Sequence, residues 1–481
     1  MRKVLLPLVV VLIGLVVYIV LFAKVDFPLA ALLPDEFRSK PQVSELVTAP
    51  GYGISVFAEV PGARVLRMTE LGNVVVSSAQ ADAIFLLLAD RDGDGKSDGQ
   101  RVLLEIENAN GIDFAPGYLY VAQEDRIGRV AYDAARDEVV GEYEVIVAGL
   151  PAGGNHWRKT IRVGPEDGLL YLAIGSTCNA CIEDDDRRAA MLRYTLQGEP
   201  LGQFASGLRN TTDIDWSPLD GALYGVDMGR DLLGDDFPPC EVNRIVERGF
   251  YGWPFANGNR QPDPDLGAGR DPIIAASSAP VHGFGAHNSP LGIRFLRSDA
   301  HPPGYKNAAI VALHGSWNRS DKDGYKVVSL HWTDGRDGPI EERDFVTGFL
   351  RDNDVSGRPS GVIEDTRGNV YIADDFANRV YRVSPGAAST VRLAKAPNER
   401  GRPATRIAIS DEDRAAAAAL YESAACAGCH GDVAGQVPLV DLATRYDVPS
   451  LQRYLAEPPQ PMPAIELAGD RELLARYLLS R

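Results

Sequence analysis

Cysteine is scarce in this chain, with five residues among 481, so each can be placed individually. No Gly-x-Gly-x-x-Gly follows a strand-like run, which removes a nicotinamide or flavin Rossmann unit. Positive charge is in deficit: 49 Lys and Arg against 66 Asp and Glu leave a net charge of −17. That balance argues against nucleic acid and against lying on an anionic membrane surface, and it suits solubility and a basic redox partner.

What is present begins at the N-terminus. Arg2-Lys3 precede twenty apolar or small residues, Val4 to Ala23, before Lys24. As a helix such a run measures about 30 Å, enough to cross a bilayer core. The basic pair keeps the N-terminus cytoplasmic and sends the rest across. A cleaved signal peptide is the rival, but Val17 to Phe22 runs on with no clear Ala-x-Ala site. The reading is an uncleaved anchor over 1–24 and a juxtamembrane linker over 25–44. The protein is then single-pass in a bacterial inner membrane, with its bulk in the periplasm.

Two cysteines fall in Cys426-Ala-Gly-Cys429-His430, the C-x-x-C-H attachment signature of haem c. The thiols form thioethers, His430 takes the iron, and Met462 between Pro461 and Pro463 supplies the second axial ligand. His/Met ligation is the electron-transfer pattern. Helix-like runs, Asp411–Ala424 and Asp470–Leu479, flank the motif, so 406–481 reads as a small all-α cytochrome c domain. Cys178-Asn-Ala-Cys181 precedes Ile182 rather than His, so it is no second haem site. With no further Cys or His pair nearby for zinc, it reads as a local disulfide in an oxidising compartment, leaving Cys240 single.

Between these ends a phrase repeats. Gly72-Asn-Val-Val-Val-Ser77 recurs at Gly117–Ala122, Gly168–Ala173, Gly221–Val226, Asn307–Ala312 and Gly368–Ala373. Each is a turn residue followed by a short β-rich run, and several lead into a second run such as Arg129–Asp133. Six copies predict an all-β six-bladed β-propeller over 45–386, with long insertions in the fourth and fifth blades. The stretch 387–405 reads as a linker to the cytochrome domain.

Polar residues gather in the long loops: His156 beside Arg158 and Lys159, Arg209-Asn210 at a blade junction, and Arg358 before the sixth repeat. On their own, a loop imidazole reads more readily as a surface or supporting residue, and isolated arginines as solvated or salt-bridged groups. Asp227 to Asn243 is dense in carboxylate and glycine and offers Ca²⁺ both carboxylates and backbone carbonyls. A second acidic loop carries Asp90, Asp92, Asp94 and Asp98 in a D-x-D-x-D-G start, with Arg101 in place of the distal Glu. It reads either as a structural Ca²⁺ loop or as a charged, solvated turn.

Leu208-Arg-Asn210, Gly229-Arg-Asp-Leu-Leu-Gly-Asp-Asp236, Gly249-Phe-Tyr-Gly-Trp-Pro254, Leu313-His-Gly-Ser-Trp-Asn-Arg319, Gly324-Tyr-Lys-Val-Val328 and Gly357-Arg-Pro359 carry a resemblance. Together they resemble the glucose/sorbosone dehydrogenase family of quinoproteins, in its L-sorbosone dehydrogenase-like branch. The resemblance implies a propeller binding pyrroloquinoline quinone (PQQ) and Ca²⁺ and oxidising a sugar or sugar aldehyde. It implies that His156 is the general base and that Arg209, Asn210, His314 and Arg358 face PQQ. It further implies that backbone carbonyls of Gly229 and Arg230 bind Ca²⁺. A neutral imidazole suits a base, and the adjacent Arg158 and Lys159 are expected to keep it neutral. Ser176 departs from the Asp that orients the base in glucose dehydrogenases, and Cys240 stands where an acid is more usual. Trp253 and Trp317 read as propeller packing, and His287 is undecided.

The expectation is a membrane-anchored quinohaemoprotein dehydrogenase. Electrons pass through haem c to a respiratory acceptor, whether a cytochrome, an oxidase or the quinone pool. The alternatives are a Ca²⁺-dependent lactonase-like hydrolase, or a non-catalytic docking or sensing propeller, fused to the cytochrome.

Overall fold

The structure is a computed structural model that describes residues 44–332, 340–386, 390–393, 409–423, 448, 451–452, 455 and 471–479. The chain divides into two compact units, 1–395 and 396–481.

The first unit is a six-bladed propeller. Its innermost strands are Leu66–Met68, Ile112–Ala115, Lys159–Val163, Thr211–Trp216, Pro290–Phe295 and Pro359–Glu364, in blades 1 to 6. The phrase that repeats in the sequence is the second strand every time, from Val74–Ser78 in blade 1 to Val370–Asp374 in blade 6. Five of the six second strands are buried at every residue. A strand covered on both faces by neighbouring blades needs a continuous apolar run, not an alternating one. The outermost strand of blade 2, Glu138–Val147, is mostly exposed and mixes three glutamates with valines and an isoleucine.

The ring closes through the N-terminal part of the unit. Tyr52–Glu59 forms the outer strand of blade 6, from Tyr52 opposite Pro385 to Glu59 opposite Arg379. A start and an end of the domain locked in one sheet cannot open without breaking that ladder. Blade 5 is widened by Ser44–Thr48, which pairs with Ile340–Thr347, and by Val391–Leu393, which pairs with Ser44–Leu46. This corrects the linker reading of 387–405 and of Ser44. The short strand Val391–Leu393 satisfies an otherwise open strand edge.

The insertions fall as expected. In blade 4 residues 228–238 separate the second and third strands, and 246–281 separate the third and fourth. In blade 5 residues 314–325 form the long loop. Because each blade is an antiparallel meander, its first strand begins at the end where its second and third strands join. The segments before residues 66, 112, 159, 211, 290 and 359 therefore share one face with the loops 175–189, 228–238 and 314–325.

In the second unit the helices Asp411–Ser423 and Arg471–Leu479 fall where the helix-like runs predict them. Tyr421 and Tyr477 meet edge-on at 6.2 Å between ring centres. Cys426, Cys429, His430 and Met462 lie outside the described residues, as does the anchor read over 1–24. Among the described residues no helix is long and apolar enough to cross a membrane.

Candidate active site

A cavity of about 200 Å³ opens at the loop-bearing end of the central channel, and His156, Arg158, Arg64, Asn210 and Met228 line it. His156 Nδ1 lies 3.0 Å from the Ser176 carbonyl and 2.9 Å from Ser176 Oγ. A carbonyl only accepts, and the Ser176 hydroxyl already donates to the Cys178 carbonyl at 2.8 Å. Nδ1 therefore carries the proton, and Nε2 is left with its lone pair as the basic atom. Burial first, then the Arg209 charge, pushes His156 down to about 3, with Arg188 adding to the effect. The neutral ring is as the sequence predicts, but its cause is not. Lys159 turns away to the Trp157 carbonyl at 2.7 Å, and Arg158 stacks on the Trp157 ring at 4.6 Å.

Arg209 is 4 % exposed, and all three of its guanidinium nitrogens are engaged. Nε donates to the Asn179 carbonyl at 3.0 Å, Nη1 to the Met228 carbonyl at 3.3 Å, and Nη2 to Asn179 Oδ1 and Asp231. Arg209, expected to face PQQ, does not line the cavity; it brings a positive charge beside His156 and keeps at most one N–H uncommitted among the described residues. Asn210 lines the cavity, with Nδ2 3.3 Å from Met228 Sδ.

Arg358 Nε and Nη2 donate to the carbonyls of His314 and Gly315, and Nη1 meets no partner among the described residues. His314 Nε2 lies 2.8 Å from Asp375 Oδ1, and Arg64 pairs with the other carboxylate oxygen. Burial holds His314 down to about 4, so it is neutral and donates to Asp375. Arg158 is exposed to the cavity and bonds to no carboxylate or carbonyl among the described residues. Burial and then Arg64 lower it to about 10.

Arg64 and Asp375 were missed in the sequence. Their signal is positional, since Arg64 stands two residues before an inner strand, as Arg209 does, and Asp375 directly follows a second strand. Also missed was the floor of the cavity, to which Arg67 and Asp213 belong. Further along the inner strands, charges of alternating sign meet around the channel. Arg67 lies 3.3 Å from Asp113, Arg162 3.2 Å from Asp113, and Asp215 3.6, 3.4 and 3.0 Å from Arg162, Arg294 and Arg297.

The remaining predicted residues separate. Arg230 points to Asp263 at 2.6 Å and to Asp265, which takes its charge away from the cavity. Asp90, Asp92 and Asp98 converge within 4.8 Å, while Asp94 turns aside to accept the Lys96 N–H at 2.8 Å. Arg382 also pairs with Asp90. Cys178 and Cys181 form a disulfide, and Cys240 is buried and free. Trp253 packs as expected at 6 % exposed, but Trp317 stands 57 % exposed, because its loop is held at the flanking Ser316 and Asn318 instead. His287 is buried, donates Nε2–H to the Gly234 carbonyl at 2.8 Å, and turns Nδ1 toward Asp231 at 3.8 Å.

The set suits a flat, multiply charged anion. Arg64, Arg158, Arg209 and Arg358 crowd one mouth, and among the described residues Asp375 and Asp231 form ion pairs with Arg64 and Arg209 there. PQQ, with its three carboxylates and quinone oxygens, fits such donors. Bound PQQ would be held by Arg158, Arg358 and Arg64, with Asn210 and neutral His314 as further hydrogen-bonding groups.

Known structures share this architecture. The calcium structure of a family AA12 carbohydrate-active enzyme from Trichoderma reesei is similar at 18 % identity with a TM-score of 0.63, covering 72 % of this chain and 98 % of that one. The holo PQQ domain of pyranose dehydrogenase from Coprinopsis cinerea gives 18 %, 0.61, 72 % and 98 %. The soluble aldose sugar dehydrogenase of Escherichia coli gives 17 %, 0.53, 69 % and 99 %. An uncharacterized protein of Borreliella burgdorferi is 28 % identical over 355 residues, spanning 71 % of this chain and 91 % of its own. At these identities the structures speak for the fold. The TrAA12-like family model matches residues 46–237 and 270–385, well over half of the chain, and its gap covers the third strand of blade 4 and most of the insertion that follows it. The chain belongs to the TrAA12-like family.

Proposed function

We propose that this protein is a PQQ-dependent dehydrogenase of a sugar or sugar aldehyde that passes electrons through haem c at His430 and Met462 to a respiratory acceptor. The observation that carries the reading is one neutral imidazole whose Nε2 meets no partner among the described residues, in a cavity lined by Arg64, Arg67 and Arg158, with Arg209 close to the imidazole and Arg358 close to Arg64. Bound PQQ supplies a two-electron acceptor for the hydride leaving the substrate carbon. The chain's own part is the proton. His156 Nε2 takes it from the substrate hydroxyl, while Ser176 keeps Nδ1–H in place and the ring at a fixed angle. The imidazolium then sits beside Arg209, whose repulsion drives the proton onward to water.

Ca²⁺ is assigned in this reading to backbone carbonyls of Gly229 and Arg230, where Arg230's side chain is already drawn off to Asp263. A second Ca²⁺ is proposed at Asp90, Asp92 and Asp98. Membrane anchoring through 1–24 and the periplasmic location belong to the same proposal. A lactonase-like hydrolase is less well supported. Among the described residues no group of three metal-binding side chains converges in the cavity, and arginines there repel a cation. A sorbosone-type substrate is one member of the class to be screened.

The test is to load the purified full chain with PQQ and Ca²⁺, add aldoses and aldehydes, and follow both an artificial dye acceptor and the reduced haem bands. Reduction of both supports the whole reading, and of the dye alone the dehydrogenase half. If no sugar or aldehyde reduces either, the enzyme reading is sunk.

A further inference from the structure

The C-x-x-C of blade 3 lies in the loop that serves both His156 and Arg209. Asn179, enclosed between the two cysteines, makes four hydrogen bonds there. Its carbonyl accepts Arg209 Nε–H at 3.0 Å, and its Oδ1 accepts Arg209 Nη2–H at 3.0 Å. The same Oδ1 accepts the Asp231 N–H at 2.8 Å, and its Nδ2 donates to the Asp231 carbonyl at 3.0 Å. One side chain thus ties the loop 175–189, the blade 3–4 junction and the loop 228–238.

A short loop without regular structure does not hold a side chain so closely by itself, because fixing each residue costs about 1–2 kcal/mol of backbone entropy. Here the backbone is closed twice. The Cys178–Cys181 disulfide encloses Asn179, and Glu183 accepts both the N–H and the hydroxyl of Thr177, at 2.6 and 2.7 Å. Ser176, the orienter of His156, begins the same loop, and its N–H donates to the Arg209 carbonyl at 2.8 Å. We propose that Asn179 is the positioning residue for Arg209 and that the Cys178–Cys181 disulfide holds it in place, so that the anion site is assembled only in the oxidised protein. Reduction by a dithiol transfers two electrons and two protons, giving two cysteine thiols and the dithiol's own disulfide. Opening the ring frees Asn179, and Arg209 and the 228–238 loop lose their common anchor. The identity of the anion rests on the PQQ reading above; the coupling between the three segments does not.

The test uses the full chain in three forms: wild type with and without dithiothreitol, Cys178→Ser/Cys181→Ser, and Asn179→Ala with its disulfide intact. Hydrogen exchange is read at 207–211 and 228–231, the His156 imidazole is titrated by nitrogen NMR, and PQQ binding is followed by fluorescence. Exchange in blades 1 and 6 controls for folding. The expected result is at least tenfold faster exchange at both distant segments in all three perturbed states. His156 should titrate higher as Arg209 moves off, and PQQ should bind at least tenfold more weakly. Faster exchange confined to 177–183, with His156 and the other segments unchanged, overturns the proposal. So does wild-type behaviour of Asn179→Ala. Wild type that binds no PQQ defeats the functional reading, yet exchange and the His156 titration still decide this one.

Discussion

The channel carries arginines at its floor and at its mouth, and the two groups differ in company. At the floor, Arg67, Arg162, Arg294 and Arg297 surround Asp113, Asp213 and Asp215, all on or beside inner strands. At the mouth, Arg64, Arg158, Arg209 and Arg358 sit on strand-preceding segments with two carboxylates between them. Paired charges at the floor knit blades together, each guanidinium there facing at least one carboxylate. The mouth keeps a surplus of cations, a state that is tolerable because Arg158 faces the open cavity rather than a closed interior. The same residue type is structural where its partners are built in and functional where a partner has yet to arrive.

The sharpest break of this comparison is at the floor. Asp215→Asn removes a carboxylate that faces three guanidiniums, leaving Arg162 with Asp113 and Asp213 and leaving Arg294 and Arg297 with no ion pair among the described residues. A loss of about 3–5 kcal/mol is expected, read as a lower midpoint in thermal or denaturant unfolding. A change under about 1 kcal/mol would show that the floor is not held by its charge pairs.

At the mouth, His156→Gln should lower turnover by about 10²–10⁴-fold with the unfolding midpoint nearly unchanged. The pH profile sharpens it. Because His156 is held down to about 3, its base form persists well below pH 6.5, and the acid limb of kcat/KM should lie there. Its stability sign follows: the unfolded chain binds this proton first, so the folded state loses stability as pH falls from about 6.5 toward 3. Arg209→Met should move the limb upward, because Arg209 is the main charge opposing protonation. An acid limb near 6.5 in the wild type would mean that His156 is not shielded as the structure has it.

Arg158→Met should weaken PQQ binding at least tenfold in a fluorescence titration while leaving stability within about 0.5 kcal/mol, since it surrenders no ion pair, only the stacking on Trp157. An equal loss of stability at Arg158 and Asp215 would erase the distinction between mouth and floor.

The smallest effect lies behind the mouth. Burial and then the neighbouring Asp227 push Glu241 up to about 8. The folded state holds that proton where the unfolded chain has lost it, so stability falls as pH rises from about 4.5 to 8. Glu241→Gln should flatten this part of the pH–stability curve and gain about 1 kcal/mol near pH 9. An unchanged slope would place the titrating group elsewhere.

The propeller was legible because one strand per blade is covered on both faces, and that environment forces an apolar phrase after a turn residue six times over. Its outer strands and the added pair at 44–48 and 391–393 were not, since half-exposed edge strands accept almost any sequence. His156 and Arg358 were reached through phrases that mark the blade junctions. Arg64 and Asp375 carry no phrase of their own. The role of Arg209 was misjudged because a guanidinium's availability depends on Asn179 and Asp231, which lie 30 and 22 residues away.

Sequence alone determines the repeat, the acidic balance, the C-x-x-C-H motif and the residue types at each junction, because these depend on neighbours along the chain. Only the tertiary structure decides which nitrogen of His156 is basic, which arginine is spent and which is free, and that a disulfide loop stands behind both His156 and Arg209. Those are properties of contacts between blades, where residues far apart in sequence compete for the same few acceptors.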